Sequence, residues 1–587
     1  LDRSLNQQSN PAVIGWHRIV KPRLDDELTA VEDARHRHRF LHRRPRAWRD
    51  GGSVETALKA ACGSAIRRRL WARPLHSRTP MLRFAFEKMN EPPVRVDASH
   101  GYVLGANDLS VAGALSLRPG KLDCESELDS ALAVNVECEM RSMGRLALST
   151  CLLQQRQERY SLLQELARHR IKVFIAKCEE WQVWDHPGCA AAIAQWNDAR
   201  SDFTASMTTA NGIEADQKAA QALVKGLEAG ERLAVAQARV SLHRRYETRA
   251  AGRVTLGARV TGRAGERAVA AAAGAFDLLQ IPLDWSVIER QEGRFDFSSV
   301  ETWLDWSASQ GKVIVVGPLL DLREQALPEW LRKRCGDFDA LRSAVWRYAE
   351  AVGELVGPRT GMWNVASGIN DSAWWPLKLE QMVEVTRRIA VGLRKNRREV
   401  PIMLEVPRPF AEGVGSLARA VTPSMLVDTL GTEGVGIDCV LVKFCMGQVG
   451  ADHLTRDLLE VSAALDALRA LRKTLFVSID VPSAPTEPNV GYWRAPWSAK
   501  SQSIWAMRMF QVALSKGHVA TILWNTLADD APRGIVRGLT TDDGMPKPAL
   551  EVLVKARRRL AKPLGPWVAA PPQQVKSKAA AGGGGDD

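Results

Sequence analysis

Cysteine is scarce: nine in 587 residues, unevenly spaced and without one C-x-x-C pair. That argues against a disulfide framework or a structural zinc site, and for unpaired thiols in a reducing compartment. Long apolar runs are absent as well. No stretch approaches the ~20 residues that span a bilayer, and nothing at the start has the basic, apolar, small-residue order of a secretory signal. The expectation is a cytoplasmic protein with no membrane span. A glycine-rich phosphate loop between strand and helix is also lacking, since GERLAVAQA (230–238) reads only as helix. Histidines number 11, five of them in the first 80 residues, and His453 and His518 stand alone. Asp529-Asp530 and Asp542-Asp543 read as solvated loop. No cofactor and no metal are expected.

What is present narrows the class. Tryptophan (19) outnumbers phenylalanine (13) and tyrosine (5), and twelve of the tryptophans lie between 285 and 524. Tryptophan-rich clefts suit flat sugar faces, yet half-buried tryptophan is also ordinary packing material. The length predicts about three domains, and 45% apolar with 25% charged residues is enough to bury a core. A formal net charge of +13 first suggests a nucleic-acid partner. Its distribution argues otherwise. Residues 1–80 hold 17 Lys and Arg against 8 Asp and Glu, whereas the rest of the chain holds 63 against 59. Basicity belongs to one segment, and nucleic acid is not an expected partner.

Residues 1–80 read as a basic, disordered leader, or as residues upstream of a true start at Met81, where composition turns normal. Residues 81–153 alternate as strands do, in VRVDAS (94–99), ALSLRPG (114–120), LAVNVECEM (132–140) and GRLALSTCLL (144–153), and predict a small antiparallel β module. Residues 154–251 read as a helical connector, with apolar residues at three- and four-residue spacing over 158–184 and 215–249. Over 252–562 the pattern changes to short apolar strands separated by helical stretches. The strands are VTLGARV (254–260), FDLLQIP (276–282), KVIVVGPLL (312–320), TGMWNVASG (360–368), VPIMLEV (400–406), DCVLVKF (438–444), TLFVSIDV (474–481) and VATILWN (519–525). Eight such alternations predict an α/β fold, a (β/α)8 TIM barrel, rather than an open doubly wound sheet. Residues 563–587 read as a flexible tail.

Six short motifs then point to a family. They are WSVIERQEGRFDF (285–297) with Gly293, Phe295 and Phe297; LPEW (327–330); GMWNV (361–365); GVGIDCV (434–440); VSIDV (477–481); and ILWNTLADD (522–530) with GMPKPALEVL (544–553). In order and at plausible spacing, residues 254–560 resemble the glycoside hydrolase family 10 barrels, the endo-1,4-β-xylanases. The resemblance implies O-glycosyl hydrolysis in carbohydrate metabolism, by a retaining mechanism with two carboxyls about 5–5.5 Å apart. Matched onto the family's W-D-V-V-N-E, this chain has Gly368 at the acid/base position. Matched onto T-E-L-D, it has Ser478 at the nucleophile. Neither replaces a carboxyl: glycine has no side chain, and a serine hydroxyl needs an activating base. The sugar-binding shell departs too, with Gln280, Ile281 and Asp284 in the strand-two ending, Gly317-Pro318 at the G-H step, and Lys443, Phe444 and Cys445 at the strand-six Q-x-H.

Strand ends face the mouth of such a barrel, so other polar residues there are candidates. Glu405 and Asp480 are displaced carboxyls that could form a new acid and base, or could simply be paired, Glu405 with Arg408. Asp284, Asn370, Asp371 and Lys443 are binding candidates, as are Trp285, Trp363 and Trp524. Trp374 and Trp375 are further groove residues. Three readings stay open: a barrel that has lost the hydrolytic mechanism and binds carbohydrate or a partner, an active hydrolase using displaced carboxyls, and a structural or assembly protein. Carbohydrate is the ligand the resemblance implies. A protein partner would use the N-terminal β and helical part.

Overall fold

The structure, a computed structural model, describes residues 81–560 apart from 107–108, 248–253, 261–267, 269, 271–273, 396–397, 411, 413–418, 448–452, 486–490 and 531–532. The readings made for 1–80 and 563–587 lie outside the described residues.

The N-terminal part opens with strands β1 (Met81–Ala85), β2 (Arg95–Leu104), β3 (Ser110–Val111), β4 (Ala114–Arg118), β5 (Lys121–Glu125), β6 (Ala133–Met140), β7 (Gly144–Ser149) and β8 (Tyr160–Ser161). They form two sheets. The order is β4-β5-β1-β8 in the first and β7-β6-β2-β3 in the second. Helices α1 (Leu162–Trp181), α2 (Ala190–Thr208) and α3 (Gly212–Glu247) follow and pack on one another. Ser161 caps α1 by accepting from the Gln164 amide. No periodicity in the sequence pointed to α2, whose alanine-rich stretch buries only a narrow face, with Trp196 and Phe203.

The barrel strands are β9 (Thr255–Arg259), β10 (Leu278–Ile281), β11 (Val313–Val316), β12 (Leu320–Asp321), β13 (Met362–Ser367), β14 (Ile402–Val406), β15 (Cys439–Cys445) and β16 (Thr474–Asp480). After the short β17 (Tyr492–Trp493) comes β18 (Val519–Trp524). Parallel pairing runs β9-β10-β11-β13-β14-β15-β16-β18 and returns to β9, so eight strands close on themselves, with β12 a short annex on β13. The chain is a (β/α)8 barrel preceded by sheets and helices, as its strand pattern predicts. Both faces of these strands are buried, which is why they read as unbroken apolar runs. Leu278, Val315, Met362, Met403, Leu441, Phe476 and Leu523 fill the barrel interior. The alternate residues pack outward against the helices.

The N-terminal part docks beside the barrel mouth. β17, from the loop after β16, adds to β7 as an antiparallel fifth strand, with Trp493 opposite Gly144. Gly144 has φ +87°, and a Cβ there would lie 2.1 Å from the Tyr492 carbonyl oxygen, so only glycine permits this approach. The Ala147 amide donates to the Thr455 carbonyl at 2.9 Å. Helix α3 lies on the barrel helices Leu458–Ala467 and Ala499–Ser515. No described helix is long and apolar enough to cross a membrane.

Candidate functional site

A cavity of about 970 Å³ opens where the barrel strands end. Its floor carries Arg259 at the end of β9, Ser367 at the end of β13, Lys443 near the end of β15 and Asn525 just after β18. Trp374 and Arg408 stand on its walls.

Glu405, on β14, lies beneath this floor with its side chain fully buried. Its oxygen Oε1 takes the Lys443 ammonium and the Ser367 hydroxyl, the latter at 2.8 Å. Oε2 takes the Asn364 amide at 2.6 Å and the Gln280 amide at 3.4 Å. Arg259 Nη1 stands 4.0 Å from Oε1. A carboxylate offers about four lone-pair sites, and these are spent. Burial alone would raise the carboxyl pKa, but Lys443 and Arg259, with the hydrogen bonds, overcome it and hold the pKa down at about 2. A group ionised at every physiological pH cannot serve as a general acid.

The local backbone makes this arrangement possible. Asn364 and Ser367 are three residues apart, and strict alternation would point them to opposite faces. The register of β13 against β14 shifts between Asn364 and Ala366, and this irregularity turns both side chains onto Glu405.

Asp480, at the end of β16, is held in the same manner. Arg537 grips Oδ1 through Nε at 3.0 Å and Nη2 at 2.6 Å, while Asn525 and Thr526 donate to Oδ2 at 3.1 and 2.9 Å. Burial pushes its pKa up, Arg537 and these donors pull it further down, and the net shift is downward. Cys445 beside it stays a thiol, since burial and then Asp480 raise its pKa well above the ordinary value.

Gly368 and Ser478 are both closely packed. Gly368 has φ +60°, and a Cβ would meet Pro407 Cγ at 3.1 Å and Asp371 Oδ1 at 3.2 Å, so a larger residue is strained there. Ser478 is 1% exposed and donates to Asn525 Oδ1 at 3.5 Å, an amide oxygen that takes no proton. Lys443 is its neighbour across the β15–β16 ladder, with its ammonium on Glu405.

Several binding candidates fall elsewhere. Trp285 is buried, stacked on Tyr348 at 4.6 Å between centroids and donating to Glu289. Trp363 faces the layer between strands and helices, and Trp524 donates to the Arg537 carbonyl from within the core. None of the three lines the cavity: Trp363 and Trp524 lie on barrel strands buried on both faces, and Trp285 is packed on Tyr348. Trp375 is buried as well, and its neighbour Trp374 is the tryptophan of the cavity wall. Asp284 is exposed at the start of the Trp285–Ile288 turn and accepts from Ser286. Asn370 donates to the Val421 carbonyl. Asp371 reaches the cavity with Arg408 at 3.9 Å, so Arg408 sits by Asp371 and not, as expected, by Glu405.

Sequence reasoning missed Arg259, Asn364 and Arg537. Arg259 had a usable signal, a charged residue ending an apolar strand on the mouth side. Asn364 depends on the strand irregularity. Arg537 reaches Asp480 from 57 positions along the chain, and no local pattern announces that.

Fold and site together define a closed (β/α)8 barrel with an ion-paired mouth. No protein-family model and no curated protein matches the chain. Solved structures similar to it include xylanase 10B from Thermotoga petrophila RKU-1 in complex with xylobiose, at 13% identity and TM-score 0.41, over 56% of this chain and 97% of that one. Another is native xylanase 10B from Thermotoga maritima, at 16% identity and TM-score 0.41, over 54% and 98%. A third is the Penicillium canescens endo-1,4-β-xylanase XylE, at 14% identity and TM-score 0.42, over 54% and 97%. The barrel itself is read from its strand pairing, not from these likenesses.

Proposed function

We propose that the barrel mouth is a binding site for a carbohydrate-sized ligand and does not perform two-carboxyl glycoside hydrolysis. One observation carries this reading: Glu405 and Asp480 are both buried and fully engaged by cations and amides. Retaining hydrolysis needs one carboxyl that attacks and one that gives a proton. Inverting hydrolysis needs one carboxyl to activate water and one to give a proton. A carboxyl with its pKa held at about 2 carries no proton to give at neutral pH. The cavity, with Trp374 on its wall and polar groups on its floor, has the size and lining of a small-ligand pocket. The six ordered motifs supply carbohydrate as the ligand class.

The test is release of reducing ends from xylan by the full chain. None is expected above the level of Glu405→Gln and Asp480→Asn variants. Turnover by the unmodified chain that Glu405→Gln abolishes would overturn the reading in favour of the displaced-carboxyl hydrolase.

A further inference from the structure

We infer that the floor of the mouth binds a small oxyanion, the carboxylate or phosphate of a sugar-sized ligand, between Arg259 and Lys443. This rests on the reading of the mouth as a binding site. Arg259 Nη1 and Lys443 Nζ both lie within 4.0 Å of a single oxygen, Glu405 Oε1. Two cations share one carboxylate, which leaves an excess positive charge at that point.

Exposure separates the two signs. The Glu405 side chain is 0% exposed, whereas Lys443 is 14% and Arg259 18% exposed. The balancing charge lies underneath, and the face that meets the cavity is cationic. A concave, low-dielectric wall of one sign focuses its field on an incoming ion. Among the described residues, Glu405 is the one carboxylate within ion-pair range of Arg259, and 4.0 Å is too long for a hydrogen bond. The guanidinium fork therefore keeps donor directions that this carboxylate does not use. Such a fork matches two oxygens of a carboxylate or phosphate, and an ammonium beside it adds a point charge.

The other charges around the cavity do not cancel the excess. Arg537 is held by Asp480, Arg323 by Asp321 and Arg533 by Asp530, while Arg408 stands 3.9 Å from Asp371. Each is a cation matched to its own acid. Glu324, also on the lining, is an exposed carboxylate at the rim. Ser367 and Asn525 add polar atoms beside the two floor cations.

The experiment is calorimetric titration of the full chain with D-galacturonate, D-galactose 6-phosphate and D-galactose. The neutral sugar controls for everything but the anion, and the two anions separate carboxylate from phosphate. At least one anion is expected to bind about tenfold or more tightly than galactose, the worth of one charge-assisted hydrogen bond. Arg259→Gln should weaken that anion about tenfold and galactose by clearly less. Glu405→Gln, which removes the competing carboxylate, should tighten it. Thermal unfolding of both variants checks that they fold. Equal binding of galactose and both anions, indifferent to Arg259→Gln, would overturn the anion site while leaving a ligand-binding mouth. Absence of binding by both anions overturns it too. Hydrolysis of xylan abolished by Glu405→Gln is a separate result and strikes the proposed function instead.

Discussion

Two clusters of buried charge, one at the barrel mouth and one where the N-terminal part meets the barrel, use the same residue types and end differently. At the mouth, Glu405 answers to Lys443 and Arg259, and water reaches the cations. At the junction, Arg170 of α1 reaches Asp457 at 2.7 Å and Glu460 at 2.8 Å, and Arg456 reaches Glu460 at 2.8 Å and the Tyr102 hydroxyl at 2.8 Å. Arg170 and Arg456 are 2% and 0% exposed, so here the cations lie inside and the network meets water through an acid, Glu460, at 19%. The difference lies in what balances the charge. The junction matches buried cations to acids, which ties two parts of the chain in one register. The mouth leaves cationic surface facing an open cavity, which is a condition for binding and not for adhesion.

The sharpest way to break the comparison is to remove one cation from each cluster. Arg170→Met strands Asp457 and leaves Glu460 with Arg456, and should cost about 3–5 kcal/mol in urea unfolding. Lys443→Met should cost less, about 1.5–3 kcal/mol, because Arg259, three neutral donors and nearby water still serve Glu405. Equal losses would mean the mouth is as closed as the junction. Next in size is Gly144→Ala, which forces a side chain against β17 and should cost about 1–3 kcal/mol in backbone strain. Limited proteolysis should then cut the loop around Tyr492 faster than in the unaltered chain, while far-ultraviolet circular dichroism barely changes.

The smallest effect is a slope with pH. Glu405 has its pKa held at about 2, below the ordinary 4.5, so the unfolded chain binds more protons between those values. Its contribution to stability is complete above about pH 4.5 and is lost as pH falls toward 2. The difference in unfolding free energy between the unaltered chain and Glu405→Gln should shrink over that window and stay flat above it. Asp457 is the counterpart. Burial outweighs Arg170 and raises its carboxyl above the ordinary 3.8, so its stability contribution falls as pH rises through that range. Asp457→Asn should remove a slope of the opposite sign.

Much of the barrel was legible. Each of its eight strands reads as a short apolar run because both faces of a parallel strand are covered. Glu405, Asp480 and Lys443 were legible as mouth residues because they end such runs. The tryptophans were not: Trp363 sits one residue from Asn364, and a run buried on both faces does not say which neighbour points inward. Strand β17 is two residues, YW, too short to carry a pattern, whereas the alternation of KLDCE was a usable signal for β5.

By itself the sequence determined the kind of fold, since strand runs are local facts. Only the tertiary structure decided which acids are spoken for. Glu405 is neutralised from β9 and β15, Asp480 from a loop 57 residues away, and Asp457 from a helix of the other half of the chain. Charge is balanced across space by whatever the fold brings within a few ångströms, and no spacing along the chain encodes that distance.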